Sequence, residues 1–310
     1  MTPLTFRAGG YQGAASVHTK GLEAFAAAIE RLSDGDLRLG MTPDITGDGS
    51  KATDLLARVE AGSLDLCYFA SSYLAGRVPE LEVFDLPFVA SDRLQAYHRL
   101  DGRLGQLVGE AVVRDTGFVV LGFWDNGFRH LSNRLHPIAR LGDCAGLSIR
   151  TLDNAQHQAT FRAFGFHPMA IDVRDLADAV RLHTVDAQEN PLTNTVNFGL
   201  HESHPFHSLT SHFFGVALLL ANRDWLEGLA PDARAVVMAA AQEATQVQRE
   251  EAASADAKCL AALAASGCDV LTADDIEIQA FVEASQNVRQ AILAKLSPDI
   301  RACLDTTTRR

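Results

Sequence analysis

Two rhythms of apolar residues alternate over the first 125 positions, and their order sets the expected architecture. "LTFRAGG" (4–10) reads as a short strand stopped by glycine. Leu22, Phe25, Ala26, Ile29 and Leu32 then recur at helical spacing, which predicts a helix over 17–33. "DLRLGM" (36–41) alternates as a strand does, and 51–62 returns to helical spacing and closes on Gly62. "LDLCYFA" (64–70) is a nearly continuous apolar run, the pattern of a strand covered on both faces. A mostly helical stretch over 94–117 leads into the strand "FVVLGF" (118–123). Strands and helices in this order predict an α/β layer structure.

The rhythm then repeats. "GLSIR" (146–150) predicts a strand, 154–165 a helix with an Asn start and a Gly stop, and 174–183 another helix. "VDAQENP" (185–191) sets Asp186, Gln188, Glu189 and Asn190 together and reads as a polar exit from that helix, ended by Pro191. "FFGVALLLA" (213–221) predicts a buried strand. Two long helical patterns follow, over 231–267 and 272–297. The first, with roughly 35 interior residues, would run about 50 Å as one helix and would span more than one domain. The economical division is two α/β lobes around a cleft. Lobe I takes 1–123 with about 213–250, and lobe II takes 124–212 with about 251–310. The chain is expected to cross between them near 122–126 and 211–215.

Composition narrows the function. A chain of 310 residues has room for two cores. No apolar run approaches the roughly 20 residues of a membrane span. The net charge of −12, from 27 basic and 39 acidic residues, comes without a Lys/Arg cluster, so a nucleic-acid partner is not expected. Cys67, Cys144, Cys259, Cys268 and Cys303 have no metal spacing, and free thiols are the simpler expectation even for Cys259 and Cys268. His201, His204 and His207 are interrupted by Pro205 and have no acidic or Cys partner at ligand spacing, so they read as surface or structural residues; no metal and no cofactor is expected. Nucleotide-binding and nucleophile-elbow signatures are missing from the sequence. No signal-peptide pattern follows Met1; either the chain is cytosolic or a leader was removed.

The chemistry centres on two arginines. Arg129 lies in "WDNGFRHLSN" just past the strand 118–123, and Arg150 ends the strand 146–150. Open α/β sheets bind ligands beyond the carboxyl ends of their strands. A guanidinium there can hold a carboxylate through two parallel hydrogen bonds. The competing reading for each is a surface ion pair.

Six segments occur in an order and spacing that resemble a known family. They are "FDLPFV" (84–89), "NGFRHLSN" (126–133), "GLSIR" (146–150), "GFHPMAI" (165–171), "AVRLHTVDAQENP" (179–191) and "SLTSHFF" (208–214). The set resembles the solute-binding proteins of tripartite ATP-independent periplasmic (TRAP) transporters, the DctP family, over roughly residues 4 to 300. The resemblance implies a two-lobed periplasmic-binding-protein-like fold with a hinge and a long lobe-spanning helix. It implies a monomer in the periplasm, its leader removed, that closes on a small organic acid and delivers it to a TRAP membrane permease. Arg150 would pair with the carboxylate, Arg129 would support it, and Asn190 would donate to it or its neighbour. Asp186 and Glu189 would brace the loop, and His212 would join the hinge network. His18, Ser50, Lys51, Ser71 and Ser72 lie where family members contact the ligand's far end. Trp124 and Phe128 would wall the cleft or pack in the core. Val173 stands where relatives carry Phe. The alternative is an enzyme on the same scaffold, with an acid or base drawn from His18, His212, Glu189 or Lys51 beside an Arg-bound carboxylate.

Overall fold

The computed structural model of the chain describes residues 3–305. Its first elements are β1 (Leu4–Gly9), α1 (Val17–Leu32), β2 (Leu37–Thr42), α2 (Asp54–Glu60) and β3 (Leu66–Ala70). β1 lies between β2 and β3 and is parallel to both. All five residues of β3 are buried, as its unbroken apolar run requires. Ser16 starts α1 by accepting from the His18 N–H. The stretch expected as one helix over 94–117 is two, α3 (Arg93–Asp101) and α4 (Arg103–Asp115). Gly102 between them adopts an extended backbone, φ −98° and ψ −153°, which its low helix propensity favours.

β4 (Phe118–Asn133) continues past the strand expected over 118–123. Then come β5 (Ser148–Thr151), α5 (Ala155–Ala163), β6 (His167–Ala170), α6 (Val173–Arg181), β7 (Ala187–Pro191), α7 (Leu192–Asn197) and β8 (Phe206–Asn222). The chain ends with α8 (Arg223–Gly228), α9 (Pro231–Ala265), β9 (Asp269–Leu271), α10 (Ile278–Ala284), α11 (Gln286–Lys295) and α12 (Pro298–Asp305). The described residues form one sheet in the order β2-β1-β3-β8-β4-β7-β5-β6, with β9 on β8. Its middle pair, β4 and β8, is antiparallel and runs from one half of the molecule into the other. Its register slips at Val120/Gly122, Asp125/Gly127 and Arg129/Leu131. Gly127 takes φ +88° and Ser211 φ +48°, beside the two expected crossings.

Two main cores flank these crossings. Phe6, Phe25, Phe69, Trp124 and Leu218 belong to the larger. Leu131, Ile149, Phe161, Phe213 and Phe281 belong to the smaller. α9 packs on α1 in the first lobe and on α7 in the second, and at 1.5 Å per residue it is about 50 Å long. The C-terminal segment departs from expectation. Ile292, Leu296 and Ile300 join the larger core and α12 packs on α4, while α11 also packs on α5, so residues beyond α10 reach back to the first lobe instead of packing on the second alone. The helix expected over 272–297 is likewise interrupted at Ser285, whose hydroxyl donates to the Val282 carbonyl at 2.8 Å. No helix of the described residues is long and apolar enough to cross a membrane.

Candidate functional site

Arg150 leaves the carboxyl end of β5, a short strand held between β6 and β7. It is 1% exposed. Its Nε donates to the Ile171 carbonyl at 2.9 Å, while Nη2 is buried without a protein partner. No carboxylate of the described residues forms an ion pair with it. Burying an unpaired cation is costly, so the arrangement calls for an anion. The hydroxyl of Tyr73, from the first lobe, stands beside this guanidinium and is also buried without a partner. Burial pushes the Tyr73 pKa up against the pull of the Arg150 charge. Ser71, in the same 3-10 turn as Tyr73, presents a third such atom, Oγ. Lys51, Thr53 and Tyr73 from the first lobe and Asp153, Ile171 and Asp172 from the second line a groove of about 370 Å³.

Arg129 is placed differently. Its Nε donates to Glu189 Oε2 at 2.5 Å, and its Nη2 to Oε1 at 2.8 Å and to the Glu189 carbonyl at 3.0 Å. Both side chains are buried. Burial alone would raise the Glu189 pKa, but Arg129, helped by His157 and His212, holds it well below the usual carboxylate range. His212 Nε2 is 3.4 Å from Glu189 Oε2, and Thr210 Oγ1 is 2.6 Å from its Nδ1. The opening expectation for 185–191 is therefore corrected. That stretch is not a helix exit; its last five residues are β7, all buried, parallel to β5 and antiparallel to β4. Glu189 braces no loop: it neutralises Arg129 inside the sheet. Asp186 does brace its surroundings, accepting from the Ser148 N–H at 3.0 Å and from Arg134 at 2.5 Å.

Asn190 donates through Nδ2 to Gln188 Oε1 at 2.6 Å, and its Oδ1 lies 3.4 Å from both Arg129 Nη2 and Asn194 Nδ2. That leaves one of its two N–H groups for another acceptor. Ser72 donates to Asp85 Oδ1 at 2.5 Å. Lys51 stands at the rim of the groove with its backbone N–H on Asp54, and the Ser50 hydroxyl donates to Asp48. His18 and Trp124 sit deeper. The His18 ring packs against both Tyr68 and Trp124, with Nε2 2.8 Å from Asn126 Oδ1. Trp124 is fully buried in the larger core, and its indole N–H donates to Thr245 at 3.2 Å. It packs in the larger core, one of the two places drawn for it from the sequence, and Tyr73 lines the groove. Burial lowers the His18 pKa, which favours the neutral ring.

Sequence reasoning missed Tyr73, Asp85, Asn154 and His157. Asp85 stands in the quoted "FDLPFV", and Asn154 was read as a helix start. Nothing local to Tyr73 or His157 marks them, because their partners lie far away in sequence. His204 and His207 are buried, and burial pushes their pKa values down to about 3 and about 4. No metal-binding group of three or more His, Cys, Asp or Glu occurs among the described residues. Cys259 and Cys268 share an apolar cluster as thiols.

The family model described as bacterial extracellular solute-binding protein, family 7 (DctP), matches residues 8–296. The 2,3-diketo-L-gulonate-binding periplasmic protein YiaO of Escherichia coli is 29% identical over 274 residues, 88% of this chain and 82% of that protein. The sugar acid binding protein DctPAm of Advenella mimigardefordensis, solved in complex with galactonate, superposes with a TM-score of 0.92 at 26% identity, covering 98% of each chain. A TRAP periplasmic solute-binding protein of Sulfurospirillum deleyianum with bound succinate gives a TM-score of 0.90 at 25% identity, covering 99% of each chain.

Proposed function

Because the chain belongs to the DctP family of TRAP-transporter solute-binding proteins, whose members are transport components rather than enzymes, we propose that it closes its two lobes over a small hydroxylated monocarboxylate gripped by Arg150. One observation carries this reading: Arg150 is a buried guanidinium with an unmet donor, whereas Arg129 has its own carboxylate. The carboxylate of the acid completes Arg150, and the hydroxyls of Tyr73 and Ser71 and the remaining N–H of Asn190 add hydrogen bonds.

The groove beside this anchor argues for the rest of the ligand. Asp153 and Asp172 outnumber Lys51 there, so a second carboxylate would meet net repulsion, while hydroxyl groups could donate to those acids. Sugar acids such as galactonate fit this description better than a dicarboxylate such as succinate. The protein acts as a monomer in the periplasm and hands the acid to a TRAP permease.

A thermal-shift screen of sugar acids, 2-hydroxy acids and dicarboxylates tests the class. A ligand that binds only the folded form stabilises it by about 2.7 kcal/mol at a hundred times its Kd. Sugar acids should raise the melting temperature most. A screen in which dicarboxylates alone raise it would refute the assignment.

A further inference from the structure

Asp85 closes the 3-10 turn Pro79–Asp85 of the first lobe, between core residues Phe84 and Leu86. Its side chain is buried, and it reaches away from that core onto the first turn of α5 in the second lobe. There Oδ1 lies 3.0 Å from His157 Nε2, and Oδ2 accepts from Asn154 Nδ2 at 2.9 Å. Asn154 Nδ2 also donates to the Ser72 carbonyl at 2.9 Å. Its own Oδ1 caps α5, accepting from the N–H groups of Gln156 and His157. The His157 ring stacks on Phe213 of its own lobe at 4.3 Å, which fixes it. Its Nδ1 faces Glu189 Oε1 of β7 at 3.8 Å, with Arg129 of β4 and His212 of β8 behind that carboxylate. The bonds from Asp85 to Asn154 and His157 run from one lobe to the other, close to the crossing where the Phe88 N–H donates to the His212 carbonyl at 2.8 Å.

We propose that Asp85, Asn154 and His157 form a latch that holds the lobes shut without touching the bound acid, and that engaging the latch takes up a proton on His157. This rests on the reading that the lobes close over a ligand. The charge pattern supports the proton. His157 sits between two carboxylates, Asp85 and Glu189, and Arg129 neutralises only the second. Burial opposes a charge on His157, but the two carboxylates outweigh it and hold its pKa above the usual 6.5. Burial lowers the pKa of His212, so as pH rises that ring gives up its proton before His157 does. The part of that rise due to Asp85 exists only while the lobes are shut, so the latch is strongest below the closed-state value and weakens as pH rises through it.

The test uses cysteines in place of Lys51 and Asp153, which line the groove from opposite lobes. A short bismaleimide traps the closed form, and the 51–153 cross-linked peptide is quantified by mass spectrometry with and without D-galactonate. Asp85→Asn and His157→Gln should each slow trapping of ligand-free protein about tenfold, as loss of a charged hydrogen bond implies. The double variant should be no slower than either single one, and ligand-free melting temperatures should be unchanged. The ratio of trapping rates, wild type over His157→Gln, cancels the pH dependence of thiol chemistry and should fall toward one as pH rises above neutral. Equal rates in wild type and variants, additive losses in the double variant, or a pH-independent ratio would overturn the latch. Failure of D-galactonate to speed trapping, in a cysteine pair whose melting temperature it still raises, counts against closure over the acid alone, because the latch is judged in ligand-free protein.

Discussion

Arg129 and Arg150 are both buried guanidiniums in one sheet, and the difference between them is their counter-charge. Arg129 has Glu189, with two hydrogen bonds of 2.8 Å or less between guanidinium and carboxylate. Glu189→Gln removes one partner of a buried ion pair, and should cost about 3–5 kcal/mol of stability, read as a shifted urea midpoint. The pair also predicts a pH dependence. Glu189 titrates below its ordinary value of 4.5, so the stability it contributes is present above pH 4.5 and is lost as pH falls through the folded value. The midpoint of the wild type should drop in that acid range more steeply than that of Glu189→Gln; parallel curves would mean that the pair is not the cause. Arg150 was legible in the sequence as a strand-end guanidinium, whereas Arg129, read as lying just past a strand, sits inside β4. Their roles were not legible, because Glu189 lies 60 positions from Arg129 and reads locally as a solvated residue.

Elements with an apolar rhythm were read well from sequence, and elements that bury polar groups were not. β3, α1 and α9 announce themselves through burial of Val, Leu, Phe and Ala. β7 does not: Gln188, Glu189 and Asn190 are all buried, yet their polarity imitates a loop. Only the neighbouring strands explain it, since Gln188 donates to Ser132 of β4 and Glu189 meets Arg129. Gly102 and Ser285 broke two expected helices because periodicity continues across a break that backbone geometry imposes. The bulged part of β4 carries its own prediction. Gly127 has φ +88°, and a Cβ there would lie 2.9 Å from Pro191 Cβ of β7. Gly127→Ala should therefore destabilise the protein by about 1–3 kcal/mol. Gly109→Ala, in α4 with open space around it, should instead stabilise by about 0.5–1 kcal/mol. Thermal melts of the two variants that shift in the same direction would remove strain at Gly127 from the account.

At the scale of the molecule, two cores are joined by a continuous strand pair and braced by one long helix, which lets the halves move as units. The repeat of the α/β rhythm made both lobes readable. The return of α11 and α12 to the first lobe was not, because an apolar helix face does not say which core it will meet. Groups from both lobes line the groove beside Arg150: Lys51, Thr53 and Tyr73 from one, Asp153, Ile171 and Asp172 from the other. The central claim is that Arg150 supplies the charge that holds the acid there. Titration calorimetry of the wild type and Arg150→Ala, with the sugar acid that most raises the melting temperature, tests this most directly. Loss of the buried charged partner predicts an affinity lower by about a hundredfold to several thousandfold, in a variant whose circular dichroism is unchanged. An affinity within about threefold of the wild type, under 1 kcal/mol, would contradict the account.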